Sequence, residues 1–290
     1  MSSTMSGKPS RVLAFGAAGS AAGEVIPALA ARDVPVRGLV RHEEQRQAVL
    51  GRGADQVALG DLADRDSIQA ALDGVDAVFY LAPAFLPDEA EVGQAVVAAA
   101  AGAGVRRFVF SSVIHPVLSL VNHAAKAPVE EALYDSGLEY TVLQPALFFQ
   151  NYAGSWAQTL RSGVLAEPWS TKTRFSRVDY RDVAEAAAIA LTEDRLLGGT
   201  YELACDGQLD RHDVADLISG VTGQVIRAER ADTPDVPPPM RAMFEHYDSS
   251  GLISNDVTLR AVLQRPPRTL RSYFEELDAQ GQAAGQATAP

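Results

Sequence analysis

Short apolar blocks separated by turn residues run through the first half of this chain. Residues 12–15, Val-Leu-Ala-Phe, form a continuous apolar run that ends at Gly16. Four apolar residues with no polar position between them predict a strand covered on both faces. The period then changes, and Val25, Ile26, Leu29 and Ala30 fall on one face of a helix. The alternation recurs. Apolar runs at 34–40, 56–59, 77–81, 107–111 and 140–143 predict strands, and stretches at 43–50, 66–72, 87–103 and 127–136 predict helices. Gly51, Gly53, Gly74 and Gly137 stand where these helices end.

Strands alternating with helices predict an α/β fold with a parallel sheet covered on both faces. Right-handed crossovers then give the Rossmann-type doubly wound arrangement, with a ligand crevice at the carboxyl ends of the strands. Beyond Asn151 the rhythm changes, and Trp156, Trp169, Phe175, Phe244, Tyr247 and a Pro-rich turn at 233–239 appear. Further helices are expected at 182–191 and 213–219, and further strands at 200–204 and 225–228. The expected division is a dinucleotide-binding domain at 11–155, with 175–204 returning to it, and a smaller C-terminal substrate lobe from 156–174 and 205–278. Residues 1–10 and 279–290 are expected to be a disordered lead and tail.

Composition narrows the function. The net charge of −12 argues against a nucleic-acid surface, which needs a clustered basic face. The single cysteine, Cys205, allows no disulfide within the chain and favours a reducing, cytoplasmic setting. The most apolar window, 95–103, is too short to cross a bilayer, so no membrane partner is expected. The five histidines lack close ligand spacing, so no metal is expected. A monomer or homodimer is expected.

The chemistry starts at the turn Gly16-Ala-Ala-Gly19-Ser-Ala-Ala22-Gly23. A strand, a turn of small residues and a helix start together make an anion site, because free backbone N–H groups and the positive end of the helix face the turn. Side chains there would block a pyrophosphate, so Gly16, Ala18, Gly19, Ser20, Ala21 and Ala22 are the expected dinucleotide contacts. The second strand ends Val40-Arg41-His42, without the carboxylate that would bind a 2′-hydroxyl. Arg41 can offer a planar fork to a 2′-phosphate, so NADP(H) is expected over NAD(H). Glu43 and Glu44 follow closely and could pair with Arg41.

In order, the chain carries Gly16-Ala-Ala-Gly19, Arg41, Gly60-Asp61-Leu62, Arg107-Phe-Val-Phe-Ser-Ser112, Lys126 with Glu130, and Ser136-Gly-Leu-Glu-Tyr-Thr141. Pro145, Asn151-Tyr152, Val178-Asp179 and Asp182-Val-Ala184 follow. From about Arg11 to Phe274 the chain thereby resembles the NmrA-like atypical short-chain dehydrogenases/reductases. Where that family often has a third glycine, this chain has Ala22, followed by Gly23. The resemblance implies that Asp61 and Leu62 lie near the adenine, that Ala82 and Pro83 line the cofactor trough, and that Pro145 and Ala146 line its nicotinamide end.

Typical members of the wider superfamily use a Tyr-x-x-x-Lys pair on one helical face. The matching stretch here is Asn122-His123-Ala-Ala-Lys126, so the lysine is kept for ribose binding and the tyrosine is replaced by Asn122. Three alternatives follow: Lys126 is itself the acid or base, as in isoflavone-reductase-like members; His123 or a bound water supplies the proton; or no catalysis occurs. Lys126 could instead be a solvated helix residue paired with Glu130 at i, i+4, and His123 an exposed helix residue. Ser112, at the end of the fifth strand, is a candidate substrate-polarising hydroxyl. Phe85, His115, Phe148, Phe149, Tyr152, Trp156 and Phe244 are the candidate substrate wall, or else partly core. The leading expectation is an NADPH-dependent reductase passing hydride to an apolar or aromatic carbonyl, quinone or conjugated double bond. The alternatives are a non-catalytic NADP(H) sensor that binds a partner protein and, less favoured without the tyrosine, an epimerase or dehydratase.

Overall fold

A computed structural model describes residues 7–83, 85–232 and 235–287. The apolar runs of the first half become strands Val12–Ala14 (β1), Val36–Val40 (β2), Gln56–Leu59 (β3), Ala77–Tyr80 (β4), Arg107–Ser111 (β5) and Glu139–Pro145 (β6). Between them run helices Val25–Ala30 (α1), Arg46–Gly51 (α2), Arg65–Leu72 (α3), Glu89–Gly102 (α4), Val121–Ala124 (α5) and Ala127–Asp135 (α6). Then follow Leu147–Phe148 (β7), Trp156–Ser162 (α7), Val164–Glu167 (β8), Arg177–Val178 (β9), Tyr180–Thr192 (α8), Gly199–Leu203 (β10) and Arg211–Thr222 (α9). Arg227–Arg230 (β11), Pro238–Ser249 (α10), Val257–Leu263 (α11) and Leu270–Ala287 (α12) complete the order.

The main sheet has seven strands in the order β10-β6-β5-β4-β1-β2-β3. Strands β3, β2, β1, β4, β5 and β6 pair in parallel, with Val12 opposite Val36 on one side and Ala77 on the other. This is the Rossmann-type doubly wound α/β arrangement. Both faces of β1, β4 and β5 are buried, which is why β1, β4 and the middle of β5, Phe108 to Phe110, are apolar rather than alternating. On one face Phe15 packs edge-on to Tyr80, and Tyr80 stacks on Phe110 at 5.6 Å. Asp64 caps α3 by accepting from the Asp66 and Ser67 amides.

The chain divides into two compact units, 1–144 with 181–202, and 145–180 with 203–290. The divisions fall at Gln144 and Arg181, ahead of residue 155 and after residue 175, because β7 and β9 pair with each other in a separate small sheet. The second unit also holds the parallel pair β8 and β11. Its core joins Phe149, Tyr152, Trp156, Val214, Ile218, Tyr273 and Phe274.

Three helices late in the chain, α10 to α12, lie beyond the elements expected from the sequence. Part of the expected turn at 233–239 lies outside the described residues, and α10 starts within the rest at Pro238, a residue suited to a first helical turn. The tail expectation is corrected over 279–287, where α12 continues. Alanine and glutamine there are good helix formers, and the helix is anchored upstream by Leu270, Tyr273 and Phe274. The lead expectation is corrected over 7–10: the Ser10 and Arg11 amides donate to the Asp76 carboxylate at 3.0 and 3.1 Å. Residues 1–6 and 288–290 lie outside the described residues.

Candidate functional site

Strand order reverses at β1, which has β2 on one side and β4 on the other, and ligands of such sheets bind at this switch point. The turn of small residues leaves β1 there. Gly16 sits at φ +69°, and a Cβ on it would lie 3.1 Å from the Ala22 Cβ and 3.3 Å from the Leu81 carbonyl oxygen. The Gly19 amide donates to the Gly16 carbonyl at 2.8 Å, and the Gly23 amide to the Gly19 carbonyl at 3.1 Å. The Ala18 and Ser20 amides donate to no backbone acceptor among the described residues. A short 3₁₀ turn, Ala22–Glu24, leads directly into α1.

Beside the turn, the guanidinium of Arg52 donates through Nη1 to the carbonyl oxygens of Ala17 and Gly19, each at 2.7 Å. Arg52 follows α2 and was not among the residues singled out from the sequence. Its only sequence signal is a basic residue at the end of the helix after β2.

Arg41 and Asp61 are brought together. Val40 of β2 pairs with Leu59 of β3, so the residues just beyond both strands adjoin, and Arg41 Nε lies 2.9 Å from Asp61 Oδ2. The alternative pairing with Glu43 or Glu44 is not the one formed: Glu43 engages Arg46 one turn along, which lowers its pKa. Leu62 packs partly against the sheet core. Ala82 is buried and Pro83 exposed, just beyond β4.

The four catalytic candidates are all engaged in the fold. Lys126 is only 7% exposed and forms an ion pair with Glu89, itself 4% exposed, in the first turn of α4. The alternative of a solvated Lys126–Glu130 pair is therefore set aside. The Glu130 carboxylate instead accepts from Ser112 Oγ at 2.5 Å, Gln144 Nε2 at 2.9 Å and Tyr134 Oη at 3.2 Å. His123 is buried rather than exposed; its Nδ1 lies 2.8 Å from the Ile114 carbonyl oxygen and 3.3 Å from that of His115. Two carbonyls cannot donate, so Nδ1 carries the proton. Asn122 is half-buried one turn before Lys126. Tyr80 is wholly buried, and its hydroxyl has no hydrogen-bond partner among the described residues. Burial, and then the Glu89 charge, push its pKa above the usual phenol value.

Backbone strain collects on the same loops. Of the five non-glycine residues with positive φ among the described residues, Phe85 (+54°), Asp88 (+54°) and His115 (+53°) lie on the connections after β4 and β5. Each such conformation costs about 1–2 kcal/mol in an L-residue. Phe85 is exposed, and His115 Nε2 lies 3.7 Å from Glu202. The remaining candidates belong to the second unit. Phe149, Tyr152 and Trp156 are buried in its core against Tyr273 and Phe274, the alternative that the sequence left open. Phe148 packs on Tyr180 at 4.1 Å and Phe244 on Trp169 at 5.6 Å. Pro145 closes β6, and the Ala146 amide donates to the Leu203 carbonyl at 2.9 Å. Among the described residues no cluster of three His, Cys, Asp or Glu could hold a metal, and no helix is long and apolar enough to cross a membrane.

The sheet order, the parallel pairing and the small-residue turn at the switch point define a Rossmann-type α/β protein. Residues 8–251 match the NmrA-like family, and the chain belongs to that family. It is 31% identical to an NAD(P)H azoreductase of Xenophilus azovorans over 226 residues, covering 74% of this chain and 75% of that one. It is also 31% identical to the (4-alkanoyl-5-oxo-2,5-dihydrofuran-3-yl)methyl phosphate reductase of Streptomyces griseus, covering 91% of this chain and 97% of that one. An NADPH-dependent quinone oxidoreductase from Escherichia coli, solved with NADPH, superposes with a TM-score of 0.80 at 25% identity over 92% of this chain and 99% of that one.

Proposed function

We propose that this protein is an NADPH-dependent reductase that passes hydride to an apolar or aromatic carbonyl, quinone or conjugated double bond. The observation that carries the proposal is the turn after β1. Gly16 at φ +69° would strain a side chain and leaves a Cβ only tight contacts at 3.1 and 3.3 Å, and the Ala18 and Ser20 amides, without backbone acceptors among the described residues, suit a diphosphate. A bound nicotinamide coenzyme would supply the hydride. Arg41 would turn its fork to a 2′-phosphate, which would compete with Asp61 for the guanidinium. The names of the relatives, an azoreductase, a quinone oxidoreductase and a butenolide phosphate reductase, fit the same reaction class.

The residues also bear on the proton. Lys126 is held by Glu89, Ser112 by Glu130, and His123 Nδ1 by two carbonyls. With these atoms committed to the fold, acceptors whose reduced form takes its proton from water, quinones foremost, suit the site best. Lys126, compensated by Glu89, then serves mainly to hold the ribose side of the site in place. Asn122 in place of the usual tyrosine favours a second reading, a protein that senses NADP(H) without turnover.

Stopped-flow oxidation of bound NADPH across a panel of quinones and enones tests the proposal. Turnover with at least one quinone is expected. Arg41→Ala is expected to raise the KM for NADPH about tenfold or more and to leave that for NADH unchanged. Tight coenzyme binding with no oxidation by any acceptor would overturn the reductase in favour of the sensor.

A further inference from the structure

We propose that Arg52 is the positioning residue that presets the turn after β1 for a diphosphate, an inference resting on the coenzyme site assigned to that turn. The geometry is that of the peptide group. In a trans peptide the C=O and the following N–H point in opposite directions. Arg52 Nη1 draws in the carbonyl oxygens of Ala17 and Gly19, each at 2.7 Å. The N–H groups sharing those two peptide planes belong to Ala18 and Ser20. Both must therefore point away from Arg52, and both lack backbone acceptors among the described residues. One side chain thus helps to fix two donors, with Gly19 between them, toward the same side of the turn.

Gly23 belongs to the same device. A Cβ built there would overlap the Arg52 guanidinium and come within 2.8 Å of the Ala17 carbonyl oxygen. The glycine that follows Ala22 is therefore the one whose bare Cα lets the guanidinium reach the turn. Arg52 also brings a positive charge to the turn, which is half-buried on its own side and adds to the attraction for an anion. Without Arg52 the Ala17–Ala18 peptide would lose its anchor and the Gly19–Ser20 peptide would keep only the Gly23 amide, and a ligand would have to order them on binding.

The test compares wild type, Arg52→Met and Arg52→Lys. NADPH and ADP affinities are measured by titration, adenosine by ligand-observed NMR, and the Ala18 and Ser20 amides by proton–nitrogen correlation spectra. In wild type, ADP should shift both amide resonances. Arg52→Met should weaken NADPH and ADP about tenfold or more while leaving adenosine, which has no phosphate, unchanged. Arg52→Lys, which keeps a donor, should recover part of the loss. If Arg52→Met does not fold, Gly23→Ala, which displaces the guanidinium, should give the same split between ADP and adenosine. Wild-type affinity for ADP in Arg52→Met, or equal losses for ADP and adenosine, would overturn the role of Arg52 alone. Failure of wild type to bind NADPH or ADP would remove the coenzyme site itself, and this role with it.

Discussion

Lys126 and Glu89 are an ion pair withdrawn from water, and its energetics differ from those of a surface pair. Removing one partner of a buried pair typically costs about 3–5 kcal/mol, because the other charge is left uncompensated, whereas replacing both with apolar groups is often nearly neutral. Glu89→Ala should therefore lower the urea-unfolding free energy by about 3–5 kcal/mol, and Glu89→Leu combined with Lys126→Met should lose much less than the sum of the single changes. Additive losses would show that the two side chains do not act as a pair. The pairing was not legible in the sequence. Spacing alone points Lys126 to Glu130, four residues on, but α4 supplies a carboxylate from 37 residues earlier. Arg41 teaches the same lesson. Its near neighbours in sequence, Glu43 and Glu44, lose to Asp61, which strand register places beside it. Candidate residues could be named from the sequence; their partners are set by tertiary packing.

Among the elements, those with both faces buried were the most legible. The runs that became β1, β4 and the middle of β5 are apolar because both faces of these strands are buried. Helix α12 is the counterexample. Its last turns mix helix-forming alanine and glutamine with Gly281 and Gly285, so composition alone does not decide, and the packed residues upstream anchor the helix. Leu270, Tyr273 and Phe274 are buried, with Phe274 stacked on Trp156 at 5.4 Å. Phe274→Ala should therefore destabilise the protein by about 3–5 kcal/mol. Ending the chain after Asp278, where Gln280 to Gln282 are exposed, should change stability by no more than about 0.5 kcal/mol. Thermal unfolding of the two variants checks both values. A truncation as damaging as Phe274→Ala would mean that the end of α12, not its buried face, holds the second unit together.

At the scale of the whole molecule, buried tyrosines link stability to alkaline pH. Burial pushes the Tyr152 and Tyr247 hydroxyls up to about 12, and Tyr80 is raised as well. An unfolded tyrosine titrates near 10, so between about pH 10 and 12 the folded chain holds protons that the unfolded chain has released. Stability should be intact below about pH 10 and fall above it, by about 1.4 kcal/mol per pH unit for each of these tyrosines. Urea unfolding across that range checks the slope, and Tyr247→Phe should remove one tyrosine's share of it. The doubly wound class of the molecule followed from strand–helix alternation alone, but its division at Gln144 did not, because β7 and β9 are two-residue strands with no periodic signal. The central claim is that the small-residue turn at the switch point grips the diphosphate of a nicotinamide coenzyme. Calorimetric titration with NADPH tests it most directly. Saturable one-to-one binding, weakened by Gly16→Val, is the predicted result; no heat with NADPH, NADP+, NADH or NAD+ would contradict it.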